Sequence, residues 1–143
     1  MATTGHVKWT GGLQDGHGII DTGSGAVSGL RYSAGSRFEG EVGTNPEELL
    51  GAAHAACFTM ALTLFLGNAG HTVEDVETSA KVTLKQQDGG FSIIRIALET
   101  TATVPGCSDE NFQEQAQNAK EGCPLSKALA SVPEVTLDAK LAE

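Results

Sequence analysis

The chain has 143 residues, enough for one domain with no long linker, and a domain of that size buries about two thirds of its unfolded surface. Lys and Arg total 9 against 18 Asp and Glu, and the net charge of -9 has the wrong sign for gripping a nucleic-acid backbone or an anionic membrane. Three cysteines, at 57, 107 and 123, are an odd set that argues against a disulfide scaffold and for buried, catalytic or sensing thiols. Met1 to Thr10 has no basic region followed by an apolar core, so no signal-peptide pattern appears and the cytoplasm is the expected compartment.

In chain order, the glycine-rich first stretch separates the short runs His6 to Thr10 and Gly18 to Thr22, which read as hairpin strands. Thr44-Asn45-Pro46-Glu47-Glu48 opens a helix, with Thr44 or Asn45 as N-cap, Pro46 in the first turn and two carboxylates at the positive end of the dipole. Gly67-Asn68 and Gly70 mark its end. Val76, Ala80, Val82 and Leu84 alternate with polar residues as a half-buried strand, and Asp88-Gly89-Gly90 turns into a second. That one puts Ile94, Ile96, Leu98, Ala102 and Val104 on one face, so the two predict a long hairpin. Ser108 or Asp109 caps a helix with the stripe Phe112, Ala116 and Ala119, and Gly122 ends it. Pro124 begins a second helix carrying Leu125, Ala128, Leu129 and Val132, and Val135, Leu137, Ala139 and Leu141 form a closing strand. The expected class is α+β, in a single domain over residues 1–143.

From Leu49 to Leu66, 14 of 18 residues are apolar, just enough to span a bilayer. His54, Thr59, Thr63 and Gly51 interrupt the run, strands flank it, and a buried central helix is the better reading. One small sheet covers only one side of such a helix. The simplest cover for the rest is a second copy, giving a homodimer with Cys57 close to the interface.

Cys57 lies twelve residues past Asn45, too deep for the helix dipole to make it a thiolate, so activation needs a nearby cation. Arg37 precedes the helix and would stay charged at any relevant pH; the alternative is a surface arginine. Glu47 could hold Arg37 bidentately, yet it stands ten residues before Cys57, about 15 Å along a straight helix. Antiparallel helices would bring Glu47 of one subunit toward Cys57 of the other, whereas the plainer role of Glu47 and Glu48 is to favour the helix start. Cys123, between Gly122 and Pro124, sits where free helix N–H groups favour a thiolate, or else simply fills a break between helices. Cys107 has no basic neighbour and reads as incidental. His54 and Cys57 have the i, i+3 spacing of metal ligands, but no second pair accompanies them and no phosphate-binding or serine-hydrolase motif is present, so neither metal nor cofactor is expected.

The segment Arg37-Phe38-Glu39-Gly40, the run from Gly43 through Thr44-Asn45-Pro46-Glu47-Glu48 to His54-Ala55-Ala56-Cys57-Phe58, Gly122-Cys123-Pro124 and the terminal Thr136-Leu137-Asp138 together resemble the OsmC family of bacterial peroxidases over nearly the whole chain. The related Ohr branch shares Thr-Asn-Pro-Glu and the two cysteines but carries its arginine in the early glycine-rich loop, which here has none. The resemblance implies antiparallel sheets wrapped around central helices in an interlaced homodimer. It further implies thiol-dependent reduction of organic hydroperoxides in oxidative or osmotic stress defence, with Cys57 as nucleophile, Cys123 as resolving thiol, and Arg37 and Glu47 as the activating pair. The reductant would be a dithiol, with a lipoylated protein as candidate. Two competing readings are a thiol-disulfide oxidoreductase or sensor without peroxide turnover, weakened by the lack of Cys-x-x-Cys, and a structural dimer whose cysteines only pack.

Overall fold

A computed structural model describes residues 1–142, and the chain forms two compact units, Met1–Leu49 and the remainder from Leu50 onward. In the first unit the two glycine-separated runs pair as expected. Strand β1 (Gly5–Thr10) lies antiparallel to β2 (His17–Thr22), and a short β3 (Leu30–Tyr32) adds to β2 on the other side. Gly18 has no side chain because Tyr32 lies over it: a Cβ there would come within 2.2 Å of the ring. The ring thereby reaches Trp9 edge-on, with centroids 5.5 Å apart.

Next comes α1 (Ala34–Phe38), which the sequence pattern does not announce. Five residues are too few to show a 3.6-residue period, but the cap is visible in hindsight. Ser33 and Ser36 form a reciprocal capping box, each hydroxyl accepting from the other's backbone N–H at 3.1 and 2.9 Å. The long helix α2 (Pro46–Asn68) starts and stops where the turn chemistry predicts, with the Asn45 side chain accepting the Glu48 N–H at 2.8 Å.

The sequence of α2 is apolar all round, and the second unit divides it into two faces. Gly51, His54, Phe58, Leu62 and Leu66 are buried, while Ala52, Ala53, Ala56, Met60 and Leu64 are exposed. Gly51 permits the close approach, since a Cβ there would lie 2.8 Å from the Ala80 carbonyl oxygen on the sheet. That sheet has the order β4 (Asp75–Gln87), β5 (Gly90–Thr103), β6 (Glu134–Leu141). Strands β4 and β5 form the expected long antiparallel hairpin, with a register shift at Thr83/Leu84.

Strand β6 departs from the all-antiparallel expectation: it runs parallel to β5, from Arg95↔Glu134 to Ala102↔Leu141. The cause is the connection, because α3 (Asp109–Gly122) and α4 (Pro124–Ala128) form a helical crossover of the kind that parallel neighbours need. Helix α4 is shorter than expected and ends before Val132, which stands next to Pro133 and is thereby biased away from helical geometry. Phe58, Leu62 and Leu66 of α2 join Leu98 and Ala102 of β5, Val104 just after it, and the Phe112, Ala116, Ala119 stripe of α3 in one core.

Candidate active site

In the first unit a set of short polar contacts fixes α1 against the start of α2. The Ser36 hydroxyl donates to the Thr44 carbonyl at 2.7 Å, the Thr44 N–H donates to the Arg31 carbonyl at 3.0 Å, and the Thr44 hydroxyl donates to Glu48 Oε2 at 2.8 Å. Arg37, on the last turn of α1, is thus set beside the first turn of α2. Its Nε donates to Glu47 Oε1 and Oε2 at 3.1 and 3.2 Å, and its Nη2 donates to Oε1 as well. The bidentate hold expected of Glu47 is present, and Phe38 supports the guanidinium from below at 5.2 Å from its ring centroid. Glu47 is the better covered partner, its side chain 12% exposed against 35% for Arg37. The open part of Arg37 borders a cavity of about 190 Å³ lined also by Trp9, Leu13, Tyr32, Ser33 and Phe38.

In the second unit the α3–α4 junction brings the two distant cysteines together. Cys123 ends α3 by donating its N–H to the Ala119 carbonyl at 3.0 Å and caps α4 with its sulfur, which accepts the Ser126 N–H at 3.3 Å. It is fully buried. The Leu125 N–H at the start of α4 and the Cys123 thiol both lie near enough to Cys57 to act on its thiol. Burial pushes the Cys57 thiol above its ordinary range, the Leu125 N–H pulls it back, and Cys123 adds to the rise. The net direction is upward, away from the thiolate.

His54 and Ser126 complete the environment of the thiols, and the sequence reading had given neither a role in it. His54 is fully buried, as a core-facing histidine should be, but it is not idle: its Nε2 lies 2.9 Å from Ser126 Oγ, and that oxygen accepts from Cys123 Sγ at 3.1 Å. The other ring nitrogen, Nδ1, is buried without a hydrogen-bond partner among the described residues, a condition that costs about 1–3 kcal/mol. Burial also holds the imidazole below its usual pKa. Sequence places Cys123 at a helix start, but neither the Ser126 cap nor its contact with a histidine 72 residues earlier is legible there.

Other residues fall outside the site. Phe58 and Leu62, suited by composition to line an alkyl pocket, are wholly buried in the core, and Met60 faces the opposite side of α2. Cys107 donates to the Ser108 carbonyl at 3.4 Å beside a cavity of about 540 Å³, and its thiol is pushed up by burial and then by Asp109.

Fold and thiol geometry define an α+β protein built for cysteine redox chemistry. A family model described as OsmC-like protein matches residues 38–138. The chain is 48% identical to the peroxiredoxin OsmC of Escherichia coli K12 over 96% of this chain and 94% of that protein. It is 33% identical to the organic hydroperoxide resistance protein OhrB of Bacillus subtilis over 71% of this chain and 74% of that protein. The OhrB crystal structure superposes with a TM-score of 0.68 at 30% identity, covering 97% of this chain and 98% of that one. The chain belongs to the OsmC family.

Proposed function

We propose that this protein is a thiol-dependent peroxidase that reduces organic hydroperoxides to alcohols, with Cys57 as nucleophile, Cys123 as resolving thiol, and Arg37 and Glu47 as the pair that activates Cys57. The observation that carries the reading is the proximity of two thiols 66 positions apart, on α2 and at the head of α4, each near enough to act on the other. Peroxidase relatives at high coverage supply the reaction class. The Cys57 thiolate attacks a peroxide oxygen; an S–O bond forms, the O–O bond breaks, and the alkoxide takes a proton and leaves as the alcohol. Cys123 then attacks the sulfenic acid, forming the S–S bond as the S–O bond breaks and water departs. An external dithiol, a lipoylated protein being the candidate, reduces the bridge by exchange.

Cys57 is pushed up by its own surroundings, so it needs the guanidinium that Glu47 holds. Along an uninterrupted helix Glu47 and Cys57 are about 15 Å apart, which favours supply of Arg37 by a second chain. The exposed apolar face of α2, with Met60 76% and Leu64 60% exposed, suits a homodimer interface that buries it. The two units then act as one functional domain, in keeping with a family match that crosses their division. Trp9, Leu13, Tyr32 and Phe38 around the Arg37 cavity suit an alkyl group, and the reducing cytoplasm suits the reaction cycle. Oxidative or osmotic stress is the corresponding setting.

To test the reading, reduced protein is mixed with one equivalent of cumene hydroperoxide and its free thiols and bridges are mapped. Fast loss of two thiols into a Cys57–Cys123 disulfide is the expected result. Loss only with a disulfide reagent would indicate an oxidoreductase instead, and no reaction a structural role.

A further inference from the structure

The reaction as proposed leaves one proton without a route: the Cys123 thiol is fully buried, yet it must lose its hydrogen as it attacks the Cys57 sulfenic acid. The structure puts a path beside it. The Cys123 S–H donates to Ser126 Oγ at 3.1 Å, and that hydroxyl lies 2.9 Å from His54 Nε2. With the thiol proton on the serine oxygen, the serine's own hydrogen is directed to Nε2, which leaves the ring hydrogen on Nδ1. There it lies buried without an acceptor. A histidine retained only for packing has no need of that penalty, and an orphaned buried nitrogen calls for an explanation.

We infer that Ser126 and His54 form a proton relay for Cys123, Ser126 acting on the sulfur directly and His54 as the positioning base behind it, so that disulfide closure depends on them. The inference rests on the assignment of Cys57 and Cys123 as oxidised and resolving thiols. In the step, the Cys123–Cys57 S–S bond forms and the Cys57 S–O bond breaks. Cys123 sulfur is oxidised and Cys57 sulfur reduced by one level each. The thiol proton passes through the Ser126 hydroxyl to Nε2 and returns by the same hydroxyl to the departing hydroxide, leaving as water. A buried imidazole, its pKa lowered by burial, suits a base that holds the proton only in passing.

The test uses full-length protein with single-turnover oxidation by cumene hydroperoxide, following peroxide loss and disulfide closure separately. Ser126→Ala and His54→Gln are each expected to slow closure by about 10- to 100-fold at pH 7 and to lengthen the life of a dimedone-trappable sulfenic acid, while peroxide loss stays within about twofold. At alkaline pH, where hydroxide can replace the relay as the base, closure in the variants should converge on the unsubstituted rate. That convergence separates a relay from a packing defect, which would slow closure equally at every pH. Equal slowing, or no slowing in Ser126→Ala, overturns the inference; Ser126→Ala decides alone if His54→Gln does not fold. If the unsubstituted protein forms no Cys57–Cys123 bridge, the underlying assignment fails and the relay fails with it, a result distinct from failure in the variants only.

Discussion

The two units divide the chemistry between them. The first holds a guanidinium in a bidentate grip beside an aromatic-lined cavity and contains no cysteine. The second holds two thiols in contact, and burial pushes the nucleophile candidate away from its reactive form. Each is well ordered by local hydrogen bonds and each is chemically quiet alone. A cation beside a carboxylate is a salt bridge, and a buried thiol beside another is core. If Arg37 is the activator proposed for Cys57, the thiol stays protonated wherever the guanidinium does not reach it, which limits adventitious oxidation.

The sharpest way to break this division is to remove the nucleophile. Cys57→Ser is expected to bring peroxide consumption to background in a stopped-flow or coupled assay; substantial turnover would move the chemistry to another residue. Arg37→Ala should cost about 10- to 1000-fold in the rate of Cys57 oxidation at pH 7, since an opposite charge is worth about one to three pKa units to a thiolate. The pH-rate midpoint should rise in parallel, and an unchanged midpoint would show that another group activates Cys57.

Mixing these two variants after mild unfolding and refolding sharpens the comparison further. If Arg37 serves the partner's thiol, mixed dimers regain one intact site, and roughly a quarter of the original activity returns. No gain over Arg37→Ala alone would mean that both parts come from one chain. Smaller effects test the scaffolds. Asn45→Ala removes the cap of α2 and should cost about 0.5–2 kcal/mol in denaturant unfolding.

The smallest predicted effect concerns His54. Burial lowers its pKa below the ordinary 6.5, so the unfolded chain binds the proton first as pH falls. Its contribution to stability is therefore complete above about pH 6.5 and lost progressively as pH falls toward the lowered value. The melting temperature should drop over that window in the unsubstituted protein, and His54→Gln should flatten the slope.

Caps, turns and alternation made α2, the β4–β5 hairpin, α3 and β6 readable, because their signals are local and act within a few residues. The same locality hid α1, too short to show a period, and the direction of β6, which follows from where a crossover returns the chain rather than from the strand's own residues. The site divided along the same line. Arg37, Glu47, Cys57 and Cys123 stood out by type and motif, whereas Ser126 became visible only once α4 was folded onto Cys57 and His54.

The sequence by itself determined which residues carry chemistry and where the long helix begins and ends, since reactivity and capping belong to side chains and their nearest neighbours. It also determined that Cys57 cannot be activated by its own helix, because the dipole fades within a turn. The tertiary structure decided the rest. It joined Cys57 to Cys123, gave α2 one buried and one exposed face, closed the Arg37–Glu47 grip, and ran a hydrogen-bonded path from Cys123 to His54. Apart from the local Cys123–Ser126 step, those contacts span from ten to seventy-two positions, and no local propensity encodes them; only tertiary packing brings the groups within bonding distance.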